Sequence, residues 1–126
     1  MSHWTELKTN ITDKAILVQA LKDLGYTVIS GVCRGYAGNK ITSDVVVQME
    51  GNYDVGFLFT EGETKIIGDE WGINLRHPMF NLADFTKEVK KKYSHNKVMD
   101  EIRKQGYTVA SETTENGQIK ILARHW

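Results

Sequence analysis

An α+β fold, an antiparallel sheet with helices packed on one face, is what this chain of 126 residues spells out, and two observations carry it. The first is an echo. Leu21-Lys22-Asp23-Leu24-Gly25-Tyr26-Thr27-Val28-Ile29-Ser30 is answered by Ile102-Arg103-Lys104-Gln105-Gly106-Tyr107-Thr108-Val109-Ala110-Ser111. Each copy follows an apolar helical pattern, so each reads as a helix that stops on glycine and turns at once into a strand. The second is the spacing of the strand patterns between the copies. Their turns are too short for parallel crossovers, which leaves antiparallel pairing.

The elements follow in order. His3 to Ile11 alternates, with Trp4, Glu6, Lys8 and Asn10 on one side and Thr5, Leu7, Thr9 and Ile11 on the other, as a strand with one buried face does. Thr12 and Asp13 offer an N-cap, and Ile16, Leu17, Ala20, Leu21 and Leu24 then follow helical spacing up to Gly25. Tyr26 to Ser30 is a strand. Gly31 to Lys40, with three glycines, reads as a loop. Asp44 to Met49, Val55 to Thr60 and Thr64 to Gly68 form a meander joined at Gly51-Asn52 and Glu61-Gly62-Glu63. Asp69 to Phe80 reads as irregular and holds the only proline. Asn81 caps a helix with the stripe Leu82, Phe85, Val89 and Tyr93. Ser94 or Asn96 recaps a second, carrying Val98, Met99 and Ile102 to Gly106. Tyr107 to Glu112 and Gln118 to Trp126 close the chain as a hairpin around Asn116-Gly117. The order is β-α-β-β-β-β-α-α-β-β in one domain, residues 1–126, and the echo suggests quasi-duplicated halves with their helices side by side. The expected core is Leu17, Leu21, Val28, Val46, Phe57, Phe85, Val89, Val98, Ile102 and Val109.

Composition narrows the class of function. Sixteen basic residues balance sixteen acidic ones, so net charge supplies no general attraction to nucleic acid. The single Cys33 cannot form an internal disulfide. The N-terminal stretch has no apolar run, and no segment approaches the roughly 20 apolar residues of a membrane span. The expectation is a soluble, intracellular protein without a cofactor.

Several stretches together resemble one family: Ser2-His3-Trp4, Leu24-Gly25-Tyr26, Tyr53-Asp54-Val55-Gly56-Phe57, Asp69-Glu70-Trp71-Gly72, Gln105-Gly106-Tyr107 and the terminal Arg124-His125-Trp126. The chain resembles the small hypothetical-chloroplast-reading-frame family numbered thirty-five, along nearly its whole length. That family usually has Phe at the place of Trp4 and Ile at the place of Val55. The resemblance implies a plastid, cyanobacterial or cyanobacterial-virus (phage) setting, hence the cytoplasm or the plastid stroma. It implies no activity and supplies no catalytic residues.

The chemistry-bearing residues are few. His3, His77, His95 and His125 have no metal-ligand spacing. If the first and last strands are neighbours, His3, Trp4, His125 and Trp126 meet at one end of the sheet, as packing or as a terminal cluster. Asp54, Glu63 and Lys65 match the minimal pattern of a metal-dependent nuclease, with carboxylates for the metal and lysine for the developing charge. Asp69, Glu70 and Glu61 form an acidic rim. Arg34 and Tyr36 stand in the glycine-containing loop and are further candidate partner-binding residues, and Lys87, Lys90, Lys91 and Lys92 make one helix basic. Trp71, Arg76, His77 and Phe80 form the favoured partner-binding patch, because a large aromatic in an irregular segment either anchors it or waits for a partner. The leading expectation is a non-enzymatic binding or adaptor module for a protein, acting also through an open sheet face or an unpaired edge strand. A small nuclease or phosphodiesterase, or a small-ligand sensor with an enclosed pocket, are the alternatives.

Overall fold

The computed structural model describes residues 4–35, 38–115 and 117–125, the side chains of 110, 115 and 125 excepted. The order is β1 (Thr5–Thr9), α1 (Lys14–Asp23), β2 (Thr27–Arg34), β3 (Lys40–Gln48), β4 (Asp54–Thr60), β5 (Glu63–Gly68), α2 (Glu70–Asn74), α3 (Leu82–Lys104), β6 (Tyr107–Glu115) and β7 (Gln118–His125). Five strands form one sheet in the order β1-β5-β4-β3-β2, with every adjacent pair antiparallel, and β6-β7 form a second sheet. The fold is therefore α+β, as the sequence predicts.

One face of the large sheet holds the core. Val45, Val47, Val55, Phe57 and Ile66 meet Leu17, Ala20 and Leu21 of α1 and Leu82, Phe85, Val89 and Tyr93 of α3. The alternation of β1 holds: Leu7 packs on this core, while Glu6 and Lys8 are exposed. Asp13 caps α1 by accepting from the Ile16 N–H at 3.1 Å. That bond, assisted by Lys97, holds its carboxyl below the usual carboxylate range. The helix ends as a glycine-terminated motif, with Gly25 N–H on Lys22 O and Tyr26 N–H on Leu21 O. Gly25 has φ 91° and Gly106, which ends α3, has φ 79°. Both echo glycines thus occupy the left-handed region that side chains avoid. The two helices lie side by side, joined by Asn96 on Asp23 and Lys97 on Asp13. The strands that follow them part: β2 enters the large sheet and β6 the hairpin.

Four expectations need correction. No second helix begins at Ser94 or Asn96. With no glycine or proline between 82 and 104, α3 runs unbroken for 23 residues. The stretch 31–40 is not all loop, since β2 continues to Arg34 and β3 starts at Lys40. The register shifts between Ile29 and Gly31, where β3 carries the extra residue between Ser43 and Val46, and pairing resumes at Gly31, so the glycine does not end the strand. The irregular stretch after Gly68 contains α2, capped by Asp69. Finally, Val98 is 46% exposed, and Ile102 and Val109 are only half-buried, because α3 reaches beyond the sheet and meets only the small hairpin there. Val28 packs on the core only half-buried, and Val46 is buried on the opposite face of the sheet.

That opposite face has its own cover. β3 leaves β4 before Val45, and the Asp44 carboxylate takes over the Phe59 N–H at 2.8 Å. The outer half of the β2–β3 hairpin then folds over the sheet. Cys33 and Ile41 join Val46, Ile67, Leu58 and Trp4 in a second apolar cluster. Gly56 makes the fit possible, since a Cβ there would stand 2.7 Å from Ser43 Oγ and 3.0 Å from Cys33 Cβ.

Candidate functional site

The 71–80 segment is built to be rigid. Asp69, fully buried, caps α2 by accepting from the Gly72 N–H at 3.1 Å. It is therefore a structural cap and not part of a solvated acidic rim. Gly72 lies against the Tyr53 ring, where a Cβ would come within 1.9 Å of Cε1. Only glycine lets the helix sit that close to the turn before β4. Ile73, fully buried, anchors α2 in the core. Asn74 then clamps the loop by donating to His77 O at 3.0 Å and Phe80 O at 2.8 Å. Phe80 lays its ring 5.6 Å from that of Phe85.

This frame turns apolar side chains outward. Trp71 is 53% exposed, Leu75 61% and Met79 94%. Trp71 and Leu75 are four residues apart, one helical turn, and so share a side. Leu75 and Met79 were not among the expected site residues. The one-turn spacing from Trp71 is the signal that points to Leu75, whereas Met79 lies beyond α2, after Pro78, and no spacing singles it out.

Next to this surface a groove of about 550 Å³ opens between the α1–β2 turn, the end of β3 and the loop. Arg76, His77 and Phe80 line it together with Tyr26, Met49 and Met79. Nε2 of His77 is buried there with no hydrogen-bond partner among the described residues. Three of the four patch residues thus converge, and Trp71 stands beside them on α2.

Arg34 does not join this patch. Its backbone N–H and Nε donate to Asp54 Oδ2 at 3.0 and 2.8 Å, and Nη2 donates to Oδ1 at 2.9 Å. The Met49 N–H adds a longer bond of 3.4 Å to Oδ1. The pair latches the folded-over hairpin to the first residue of β4, and the bonds to Asp54 hold the guanidinium pKa above its usual value. Cys33 lies beneath the latch and donates from Sγ to Asp54 O at 3.3 Å. Burial, then the neighbouring Asp54 charge, pushes its thiol up to about 12. The folded protein is therefore expected to resist thiol-specific reagents at pH 8, since the thiolate is the reactive form, and to label fully once denatured. Rapid labelling at pH 8 without denaturant would show that the hairpin does not stay closed.

The nuclease trio is dispersed. Glu63 pairs with Thr60, six residues along β4 from Asp54, a separation of about 20 Å at strand rise. Lys65 instead meets Glu6 at 3.6 Å. Among the described residues no group of three His, Cys, Asp or Glu could hold a metal ion.

The terminal cluster is not assembled by the sheet. β1 pairs with β5 and β7 pairs with β6, so the first and last strands are not neighbours. Trp4 packs on the backbone of Gly35, where a Cβ would come within 2.5 Å of its ring. His125 ends β7 opposite Tyr107. His3, Tyr36 and Trp126 lie outside the described residues.

Among the described residues, no helix is long and apolar enough to cross a membrane. No solved structure matches the chain significantly. Over 129 aligned residues it is 26% identical to the protein called Uncharacterized protein ycf35 of Guillardia theta, and 26% to that of Cyanophora paradoxa. The corresponding protein of Pyropia yezoensis is 25% identical, and each alignment covers all of this chain and 98% of the relative. These relatives come from plastid-bearing organisms, in line with the resemblance read from the sequence. The profile of the family described as Protein of unknown function (DUF1257) matches residues 20–122, and the chain belongs to that family.

Proposed function

We propose that this protein is a non-enzymatic binding module that docks a protein partner on the 71–80 segment. One observation carries the reading: a loop clamped by Asn74 holds Trp71, Leu75 and Met79 more than half exposed. Large apolar side chains displayed on a fixed frame lose little entropy on binding and are the usual anchors of protein interfaces. Arg76 and His77 supply a polar border at the groove beside them. The setting that goes with this reading is the plastid stroma or a cyanobacterial cytoplasm, since similar proteins occur in plastid-bearing organisms. The alternatives gain no support. The three nuclease residues are dispersed, and a sensor would bury its ligand in an enclosed apolar cavity, whereas the groove at this site is open and lined in part by charge.

The test is affinity capture from a host extract with the wild type and with Trp71→Ala combined with Leu75→Ala. Both side chains are exposed, so the melting behaviour should change by no more than about 0.5 kcal/mol. The specific partner should be lost or weakened by tenfold or more, about 1.4 kcal/mol. A partner captured equally by both forms would place the interface elsewhere.

A further inference from the structure

The sequence of β1 is complementary to its own reverse. The strand closes the large sheet on one side, paired with β5 in unbroken register from Thr5 opposite Gly68 to Thr9 opposite Thr64. Its five residues, Thr5-Glu6-Leu7-Lys8-Thr9, hold no glycine, proline or bulge. The other edges are interrupted or carry charge of one sign. β2 turns at Gly31, φ 120°, where its register with β3 shifts. β6 carries an extra residue between Val109 and Ser111, and β7 carries Lys120 and Arg124 with no acidic side chain.

Both faces of β1 are incomplete. On the inner face Leu7 packs on the core but is only half-buried. On the outer face Glu6 and Lys8 are exposed. Lys8 stands directly opposite Lys65 in the ladder, a like-charge pair, and among the described residues it has no carboxylate partner. Glu6 reaches Lys65 through Oε1 at 3.6 Å, a long contact that leaves Oε2 for a second cation.

We propose that a second copy of this chain pairs with the edge of β1, strand against strand and antiparallel, about a two-fold axis at Leu7. That axis sets Leu7 opposite Leu7 of the other copy, Glu6 opposite Lys8, and Thr5 opposite Thr9. Directly opposed side chains on one face have Cβ atoms about 4.5–5.5 Å apart, within reach of an ion pair. Each Lys8 thus gains the carboxylate it lacks, and the two leucines close the gap at the rim of the core. Charges at an edge ordinarily repel a foreign strand, but their order here admits the same strand. A slip by two residues would place Glu6 on Glu6 or Lys8 on Lys8, so the charges also fix the register. The axis stands perpendicular to the sheet, so two five-stranded sheets become one, with the helices of both copies on one side. Five residues a side make a small interface, so the association is weak and reversible. It does not involve the 71–80 segment and stands whether or not a partner docks there.

The test is sedimentation equilibrium of the full chain over a concentration series up to about 1 mM, where weak pairs associate. The wild type should show a monomer–dimer equilibrium, and raising the concentration should slow hydrogen exchange at β1 amides. Glu6→Lys alone, or Lys8→Glu alone, sets like charges across the axis and should weaken the dimer about tenfold or more. An equimolar mixture of these two variants restores opposite charges in both cross pairs and should dimerise as the wild type does. So should the double variant Glu6→Lys, Lys8→Glu. Both side chains are exposed, so neither variant should unfold, and the mixture gives a positive signal that a misfolded variant could not. A chain that stays monomeric up to about 1 mM overturns the proposal. So does a dimer that persists in both single variants, or a mixture that stays monomeric. A dimer lost in Trp71→Ala overturns it too, by placing the interface on the 71–80 segment.

Discussion

Replacing Arg34 by methionine is expected to destabilise the protein by about 3–5 kcal/mol, although its side chain is 36% exposed. The cost falls on the partner. The Asp54 side chain is 1% exposed, and in the wild type it accepts three bonds from Arg34. The methionine keeps the backbone N–H bond but removes both guanidinium bonds and the compensating charge. A carboxylate buried without its cation carries the cost of its lost hydration, or draws water into the sheet. A surface pair would contribute at most about 1 kcal/mol, so the size of the loss separates the two descriptions. The double variant Arg34→Met, Asp54→Leu removes the charge with its partner and should recover much of the loss, since apolar replacements of a buried pair are often neutral. Denaturant melts of the two single variants and the double variant measure the coupling directly. A loss under about 1 kcal/mol for Arg34→Met would mean that Asp54 is reached by solvent and that the hairpin is not latched. With the latch gone, Cys33 should also label at pH 8, which links the stability change to opening of the hairpin over the outer face.

The parts of this fold that the sequence displayed are those governed by local chemistry. The echo glycines, the Asp13 and Asn81 caps, the alternation of β1 and the meander of β3, β4 and β5 all depend on neighbours within a few residues. What depended on distant contacts was read less well. Arg34 looked like a loop cation, because nothing nearby in sequence shows that Asp54, twenty positions on, will hold it. Gly31 looked like a loop residue, because composition cannot distinguish a glycine paired inside a ladder, here opposite Ser43, from one at the strand's end. Ser94 and Asn96 looked like caps, because both are good N-cap residues, but they lie in mid-helix and Asn96 bonds across to Asp23. The closing hairpin was visible from Asn116-Gly117, but not that it would stand apart from the main sheet and leave Val98 exposed.

The candidate site divides in the same way. Arg76, His77 and Phe80 were grouped by their position in one irregular segment, and the fold does bring them to one groove. Trp71 was expected to anchor the segment or to await a partner. The anchor is instead Ile73, two residues later, which faces inward and leaves Trp71 on the outside. Leu75 was passed over because α2 was read as irregular, and without a helix its spacing from Trp71 carries no meaning, while Met79 lies past the helix in the loop after Pro78, where no periodicity marks it.

The aromatic cluster joins the core to this site, and truncating its centre should damage both. Phe85, 4% exposed, places its ring 5.3 Å from Tyr26, 5.6 Å from Phe80 and 6.3 Å from Phe57. Tyr26 and Phe80 line opposite sides of the groove, so one buried ring of α3 spaces its two walls. Phe85→Ala should cost about 3–5 kcal/mol, the range for removing a buried aromatic side chain, because the sheet and α3 cannot collapse fully into the space. Edge-to-face contacts such as that with Tyr26 add about 0.5–1.5 kcal/mol beyond burial, which puts the expected value toward the upper end. Against a typical total of about 5–15 kcal/mol, a loss of this size leaves the variant folded at 25 °C only if the wild type is of ordinary stability or better. Phe85→Leu keeps an apolar side chain in the space and should cost about half as much or less, giving a folded form for the second measurement. In that form Tyr26 and Phe80 lose their common contact. Amide exchange should therefore speed up at residues 76–80 while the β4–β5 pairing stays protected. Equal protection throughout in Phe85→Leu would show that Asn74 alone holds the loop, and the groove would then owe its shape to α2 and not to the core.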